Sequence, residues 1–111
     1  MSALPQPIKD VVLELEKGLK KLYGDRYRGL LLFGSYARRT AREGSDVDLL
    51  LLLEGPVNAS REILATSALV GDLSLDSGFV LAVMPADFGS YQRGESMFLR
   101  VVRREAVPIA A

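Results

Sequence analysis

The sequence predicts an α/β (α+β) fold in which helices pack on a layered sheet. Short apolar runs alternate with longer segments of helical pattern, in the order α-β-α-β-α-β-α. Alternation of this kind favours a sheet covered by helices. The 111 residues leave room for a single domain over residues 1–111, because a chain of this size builds one modest core.

The first predicted element is an amphipathic helix that follows Pro5 and Pro7 and ends at Gly24. Proline is favoured at the start of a helix and glycine just beyond its end. Apolar residues recur at helical spacing on one face. They are Ile8, Val11, Val12, Leu15, Leu19 and Leu22.

Three short apolar runs are predicted strands, over residues 28–33, 46–53 and 79–84, with Pro85 ending the third. The second run contains five consecutive leucines at positions 49–53, which is typical of a strand buried on both faces. Only about a dozen residues separate the first two strands, which suits either a parallel crossover or an antiparallel return.

Two helices are predicted to follow the first two strands. The first is short, over residues 35–40, and the second runs from Asn58 or Ser60 to about Leu73, since asparagine and serine are favoured N-caps. The apolar residues of the longer helix are Ile63, Leu64, Val70 and Leu73.

The C-terminal part is predicted to form a loop over 86–95, a last helix over 96–105 and an extended tail over 107–109. The residues expected to face inward on the last helix are Phe98, Val101 and Val102.

The composition excludes several kinds of chemistry. Cysteine and histidine are both absent. This removes disulfide scaffolds, thiol catalysis, histidine-liganded metals and the imidazole general base. The chemistry that remains uses carboxylates, hydroxyls, lysine, arginine, backbone dipoles and a hard metal ion.

Charge and hydropathy limit the partners. Fourteen basic residues balance fourteen acidic ones, which argues against bulk nucleic-acid binding, since that depends on phosphate neutralisation. No apolar run approaches the ~20 residues that span a bilayer, and the first ten residues lack the pattern of a secretion signal. We therefore expect no membrane partner and a cytoplasmic location.

Asp46 and Asp48 form a pair at the start of the second strand. The period of two in a strand puts both carboxylates on one face. Two such carboxylates repel each other unless a cation lies between them, and hard oxygen ligands suit Mg²⁺. On its own the pair is also compatible with a strand start that faces water.

Gly34 and Ser35 lie at the end of the first strand, where a short helix is predicted to begin. Glycine lets a phosphate approach the backbone closely, and helix-start amides point at an anion. An ordinary turn with Ser35 as N-cap is the alternative. Arg38 follows on the same segment and is either a phosphate ligand or part of a solvated basic face.

Residues 34–48 together match a GSx10DxD pattern: Gly34-Ser35, ten intervening residues, then Asp46-Val47-Asp48. This segment closely resembles the nucleotidyltransferase superfamily that includes DNA polymerase beta and kanamycin nucleotidyltransferase. The short chain resembles a minimal nucleotidyltransferase, a class often paired with a HEPN-domain protein as antitoxin and toxin. Residues 99–107 also resemble the ending of these small proteins, with Ala106 where they have glycine.

The resemblance implies a mixed sheet of about three to four strands with helices packed on it. It also implies transfer of a nucleoside monophosphate, in the first instance AMP from ATP, to an acceptor hydroxyl. Gly34, Ser35 and Arg38 would then bind the nucleotide phosphates, and Asp46 and Asp48 would be catalytic ligands of two Mg²⁺ ions.

Active relatives carry a third carboxylate on the next strand, whereas the predicted third strand has none. Asp76 is the nearest candidate, and Asp72 lies further back. This departure leaves three hypotheses open. The protein adenylylates a partner, foremost a tyrosine of a HEPN toxin; or it neutralises that partner by contact, with a vestigial site; or it modifies a small molecule or an RNA end, which the short neutral chain disfavours.

Overall fold

A computed structural model describes residues 4–109 of the chain; residues 1–3 and 110–111, the ends of the predicted single domain, lie outside the described part. The helices are α1 (Gln6–Tyr23), α2 (Gly34–Arg38), α3 (Ala59–Ser77), α4 (Phe88–Arg93) and α5 (Met97–Glu105), with a short 3-10 turn over Gly24–Arg26. The strands are β1 (Tyr27–Phe33), β2 (Val47–Leu53), β3 (Leu81–Asp87) and β4 (Val107–Pro108). The fold is thus a mixed α/β structure, as predicted.

The four strands form one mixed sheet in the order β3-β2-β1-β4. β1 pairs with β2 and with β4 in antiparallel fashion, whereas β2 and β3 are parallel. The connection between β1 and β2 is therefore an antiparallel return, the alternative that the sequence pattern left open. β3 and β2 are joined instead through the long helix α3, since parallel strands need a crossover.

β2 is buried on both faces, as its five leucines predict. Leu49, Leu51 and Leu53 lie in the core beneath α1 and α3. Leu50 and Leu52 pack on the other face with α5. The side chain of Asp48 alternates with its neighbours and leaves β2 on the same face as Leu50, toward α5.

The predicted first helix is confirmed, and five of its six apolar positions are buried. Leu22 is the exception, with 51% of its surface exposed, because it lies in the last turn before Gly24 leads into the 3-10 turn. Pro7 lies inside the first turn of the helix rather than before it, where a missing backbone N–H costs nothing.

α3 starts after Asn58, whose side chain accepts a hydrogen bond from the backbone N–H of Arg61, so Asn58 rather than Ser60 is the N-cap of the two that the sequence left open. The helix extends to Ser77 rather than Leu73. Ile63 and Leu64 are exposed, and the buried positions of its first half are polar. These are Glu62 and Thr66.

The third strand is shifted from its predicted bounds, 79–84, to Leu81–Asp87 and includes Pro85. Pro85 was expected to end the strand, but β3 is an edge strand, where proline is tolerated when its nitrogen faces outward. The backbone N–H of Val47 donates to the carbonyl of Val80. In a parallel pair alternate residues bond to the partner strand, so the backbone nitrogen of Pro85 faces away from β2.

Two further predictions for the C-terminal part were wrong. Residues 86–95 contain the helix α4 instead of a loop, with Asp87 as its N-cap. On α5 the buried residues are Leu99 and Val102, whereas Phe98 and Val101 are 44% and 45% exposed. The inward face was misassigned because it is set by the sheet residues beneath it, and Phe98 instead meets Phe33 edge to face.

Within residues 4–109, no helix is both long and apolar enough to span a membrane.

Candidate active site

Gly34 forms the turn between β1 and α2, and both its backbone conformation and its surroundings favour glycine. Its φ of +76° lies in the left-handed region that other residues adopt at a cost. A Cβ atom at this position would stand 2.9 Å from Cγ of Asp48 and would overlap its carboxylate oxygen. The turn therefore brings a bare stretch of backbone directly against the Asp48 carboxylate.

Asp48 is held there by strand pairing. It is the register partner of Phe33, the residue just before the turn, and its side chain is half-buried. Asp46 precedes β2 and is exposed. Burial raises the pKa of the Asp48 carboxyl, the nearby carboxylates of Asp46 and Glu105 raise this pKa further, and the Arg38 guanidinium opposes them.

The predicted site residues Gly34, Arg38, Asp46 and Asp48 are thus brought together at one end of β1 and β2. Ser35 lies half-buried in the first turn of α2, and its backbone carbonyl accepts from the N–H of Thr40 at 2.9 Å. Their roles toward phosphate and metal remain predictions.

Glu105, at the end of α5, is the site residue that sequence reasoning missed. Its Oε2 accepts a hydrogen bond of 2.7 Å from the backbone N–H of Gly34. Both of its carboxylate oxygens lie 3.3 Å from Nη1 of Arg38. The only signal in the sequence was the resemblance of residues 99–107 to a family ending, and that resemblance assigned no role to the glutamate.

The carboxylates expected as a third acidic group lie elsewhere. Asp76 is exposed near the end of α3 and lines a surface cleft with Asp10 and Glu14 of α1. This is the face of the sheet opposite to Asp48. β3 does contain a carboxylate, Asp87, but it pairs with Leu53 at the far end of β2 and caps α4.

The donor set at the site suits a hard cation. Asp46 and Asp48 supply carboxylate oxygens, the ligands that Mg²⁺ prefers. Burial and, after it, the neighbouring carboxylate of Asp46 raise the pKa of Asp48, and a bound cation would offset that repulsion. Among residues 4–109, however, no three acidic side chains are grouped closely enough to hold a metal ion by themselves. A nucleotide or water could supply further ligands for such an ion.

Comparison with known proteins identifies the class of protein to which this chain belongs. A family model described as "Nucleotidyltransferase domain" matches residues 12–79, more than half of the chain. The chain therefore belongs to the nucleotidyltransferase domain family. The matched region includes β1, the Gly34 turn and both aspartates.

Individual relatives agree with this class. A candidate protein adenylyltransferase of Methanocaldococcus jannaschii is 44% identical over 45 residues, which cover 40% of this chain and 31% of that protein. The match thus spans less than a third of the relative's length.

Two solved structures share the fold. A candidate nucleotidyltransferase from Sulfolobus solfataricus superimposes with a TM-score of 0.56 at 20% identity, covering 79% of this chain and 70% of the other. A toxin-antitoxin crystallised with AMP-PNP gives a TM-score of 0.61 at 18% identity, covering 91% and 71%.

Proposed function

We propose that the protein is a Mg²⁺-dependent nucleotidyltransferase that moves AMP from ATP to an acceptor hydroxyl, a tyrosine of a HEPN-type toxin partner. The observation that carries this proposal is the contact between the Gly34 turn and Asp48. It places the backbone of the turn directly against Asp48, two residues after Asp46 at the start of β2. The family match and the adenylyltransferase relative support nucleotidyl transfer, and the toxin-antitoxin neighbour supports a toxin as partner.

In this proposal each residue has a defined part. The amide of Gly34, the Ser35 hydroxyl and Arg38 bind phosphate oxygens. Asp46 and Asp48 would hold Mg²⁺, which when bound neutralises phosphate charge and lowers the pKa of the acceptor hydroxyl. A histidine base is then not required.

The reaction exchanges one phosphorus–oxygen bond for another. The acceptor oxygen forms a bond to the α-phosphorus, and the bond from that phosphorus to the bridging oxygen of pyrophosphate breaks. Pyrophosphate leaves with the electron pair, and the proton of the hydroxyl passes to water.

The test is incorporation of label from α-³²P ATP into the co-purified HEPN partner, with mass spectrometry to locate one AMP on a tyrosine. Replacing both Asp46 and Asp48 by asparagine should lower incorporation by at least about 100-fold, the scale of lost electrostatic stabilisation. Asp72→Asn is the matched control, because Asp72 is exposed on α3. The absence of any Mg²⁺-dependent incorporation by the wild type would overturn the proposal.

A second function is favoured by one observation on β3. The register partner of Asp48 is Ala82, so the neighbouring strand offers no carboxylate at that level. The protein would then bind nucleotide weakly or not at all, and it would neutralise its partner by direct contact. Under this alternative, a folded Asp46→Ala, Asp48→Ala variant keeps full neutralisation of the toxin in a growth assay, whereas loss of neutralisation supports catalysis.

A further inference from the structure

Glu105 occupies the donors that the proposed function assigns to phosphate. The backbone N–H of Gly34 donates to Oε2 of Glu105 at 2.7 Å. Nη1 of Arg38 lies 3.3 Å from both oxygens of the same carboxylate. A phosphate oxygen that approached this turn would therefore meet a carboxylate already in place.

The contact of Glu105 with Gly34 and Arg38 forms although it brings the glutamate near the Asp48 carboxylate, a repulsion that costs free energy. The Glu105 side chain is only 18% exposed, and the pKa of the Asp48 carboxyl, which burial and Asp46 raise most, is raised further by the charge of Glu105. Like charges so close together disfavour each other. The position is stabilised by the Gly34 amide, since a hydrogen bond from N–H to a carboxylate is charge-assisted and stronger than a neutral one, and by Arg38.

We infer that Glu105 is an internal anion that closes the Gly34 and Arg38 donors until a triphosphate displaces it. This inference rests on the proposed function, because it concerns regulation of the same site. Carboxylate and phosphate oxygens compete for the same donors, so the glutamate sets a threshold for nucleotide binding. The end of α5 thereby controls access to the turn at the end of β1.

A permanent role as metal ligand is the competing explanation for a glutamate in this place. In the described residues Glu105 bonds to an amide and a guanidinium, and no group of three acidic side chains is arranged to hold a metal ion. Both partners of Glu105 are donors for anions. The geometry therefore favours displacement by an anion.

The experiment is calorimetric titration of the full chain with ATP and Mg²⁺. Glu105→Ala removes the competing carboxylate, and we expect it to bind ATP about tenfold more tightly than the wild type, the scale of one charge-assisted hydrogen bond. Glu105→Gln keeps the size and an acceptor oxygen but loses the charge, so it should change affinity in the same direction by less.

Glu95→Ala is the matched control. Glu95 also pairs with an arginine, Arg93, but it is exposed and lies between α4 and α5, so its loss should leave ATP affinity unchanged. Thermal unfolding of each variant establishes that it is folded. If Glu105→Ala does not fold, Glu105→Gln alone shows whether removing the negative charge raises or lowers ATP affinity.

Each outcome separates this inference from the proposed function. Tighter binding supports the displacement model even if the transfer assay finds no AMP on any partner, in which case only the proposed function fails. Equal affinity in all variants overturns the inference and leaves the transfer assay to decide the function. Weaker binding by a folded Glu105 variant also overturns it, because the glutamate then assists the nucleotide. No ATP binding by any variant overturns the inference, and the transfer assay with the partner then decides the proposed function separately.

Discussion

Asp48 of β2 and Ala82 of β3 are register partners in the parallel pair. Their side chains leave the same face of the sheet, on strands about 4.8 Å apart. A carboxylate at position 82 would thus stand beside Asp48 with no change of backbone. The resemblance implies a third carboxylate on the next strand, and at the level of Asp48 that strand has the methyl group of Ala82 instead.

Ala82→Asp is therefore expected to strengthen the proposed metal–nucleotide site. The added carboxylate supplies a third oxygen ligand beside Asp48, so ATP binding in the presence of Mg²⁺ should tighten by about tenfold, while binding without Mg²⁺ should weaken through repulsion. Titration calorimetry with and without Mg²⁺ measures both effects. Ala82→Asn is the control for size, and equal behaviour of the two variants would contradict the argument.

Gly34→Ala is expected to disrupt the site more than its small size suggests. The new Cβ would overlap the Asp48 carboxylate, and φ at this position is +76°. Gly44 provides a matched control, because its φ is +86° and nothing lies within 4 Å of its Cβ position. Gly44→Ala should cost only the free energy of holding an alanine in a left-handed backbone conformation, about 1 kcal/mol.

The difference between the two glycine variants isolates the contact with Asp48. We expect Gly34→Ala to lower the free energy of unfolding by about 1–3 kcal/mol more than Gly44→Ala, and to abolish ATP binding. Urea unfolding and calorimetry test these expectations. If the two variants behaved alike, the close approach of Gly34 to Asp48 would not be a constraint on the site.

Asp48→Asn should stabilise the protein while it impairs function. The ionised Asp48 is half-buried beside two other carboxylates, and these surroundings raise its pKa. Removing the charge relieves that repulsion. In metal-free buffer at neutral pH we expect a gain of about 1 kcal/mol or less, since the site is partly screened by solvent.

Thermal unfolding of Asp48→Asn, with the exposed Asp72→Asn as reference, measures this gain. The reference should lie within about 0.5 kcal/mol of the wild type. A loss of stability in Asp48→Asn that the reference does not share would show that the negative charge is used by the fold.

The sequence predicted the parts of the site that lie within one short segment. Gly34, Asp46 and Asp48 are encoded by local spacing, and strand pairing then brings Phe33 opposite Asp48. Glu105 was not predictable in its role, because 71 positions separate it from Gly34 and no periodicity relates the two.

The wrong predictions about the fold also arose where tertiary structure, and not local sequence, decides the outcome. Pro85 reads as a strand breaker, and only the edge position of β3 makes it compatible with a strand. Phe98 is large and apolar, yet Leu99 faces the sheet because the angle at which α5 packs is a tertiary property. By contrast, the burial of residues 49–53 was predictable from the sequence alone, since a strand of consecutive leucines is apolar on both faces.

The protein is expected to lose stability above about pH 10 through two tyrosines that bond to carboxylates. The hydroxyl of Tyr27 donates to Glu16 at 2.6 Å, and that of Tyr23 donates to Glu62 at 2.7 Å. Burial raises the pKa of each phenol, and the hydrogen bond and the negative charge of its glutamate raise it further. The folded state therefore keeps these protons at a pH where the unfolded chain releases them.

The direction in which the free energy of unfolding changes with pH follows from proton linkage. A group whose pKa is raised by folding contributes stability that is full below its unfolded pKa, near 10, and is lost as the pH rises toward the folded value. The free energy of unfolding should fall by at most about 1.4 kcal/mol per pH unit for each tyrosine, and by less where solvent screens the pair.

Urea unfolding at pH 8 and pH 10.5 tests this for the wild type and for Tyr27→Phe. The phenylalanine variant removes one titrating hydroxyl, so it should be less stable at pH 8, where it lacks the bond to Glu16, and should show a shallower fall between the two pH values. An equal fall in both proteins would show that Tyr27 is not the source of the alkaline sensitivity.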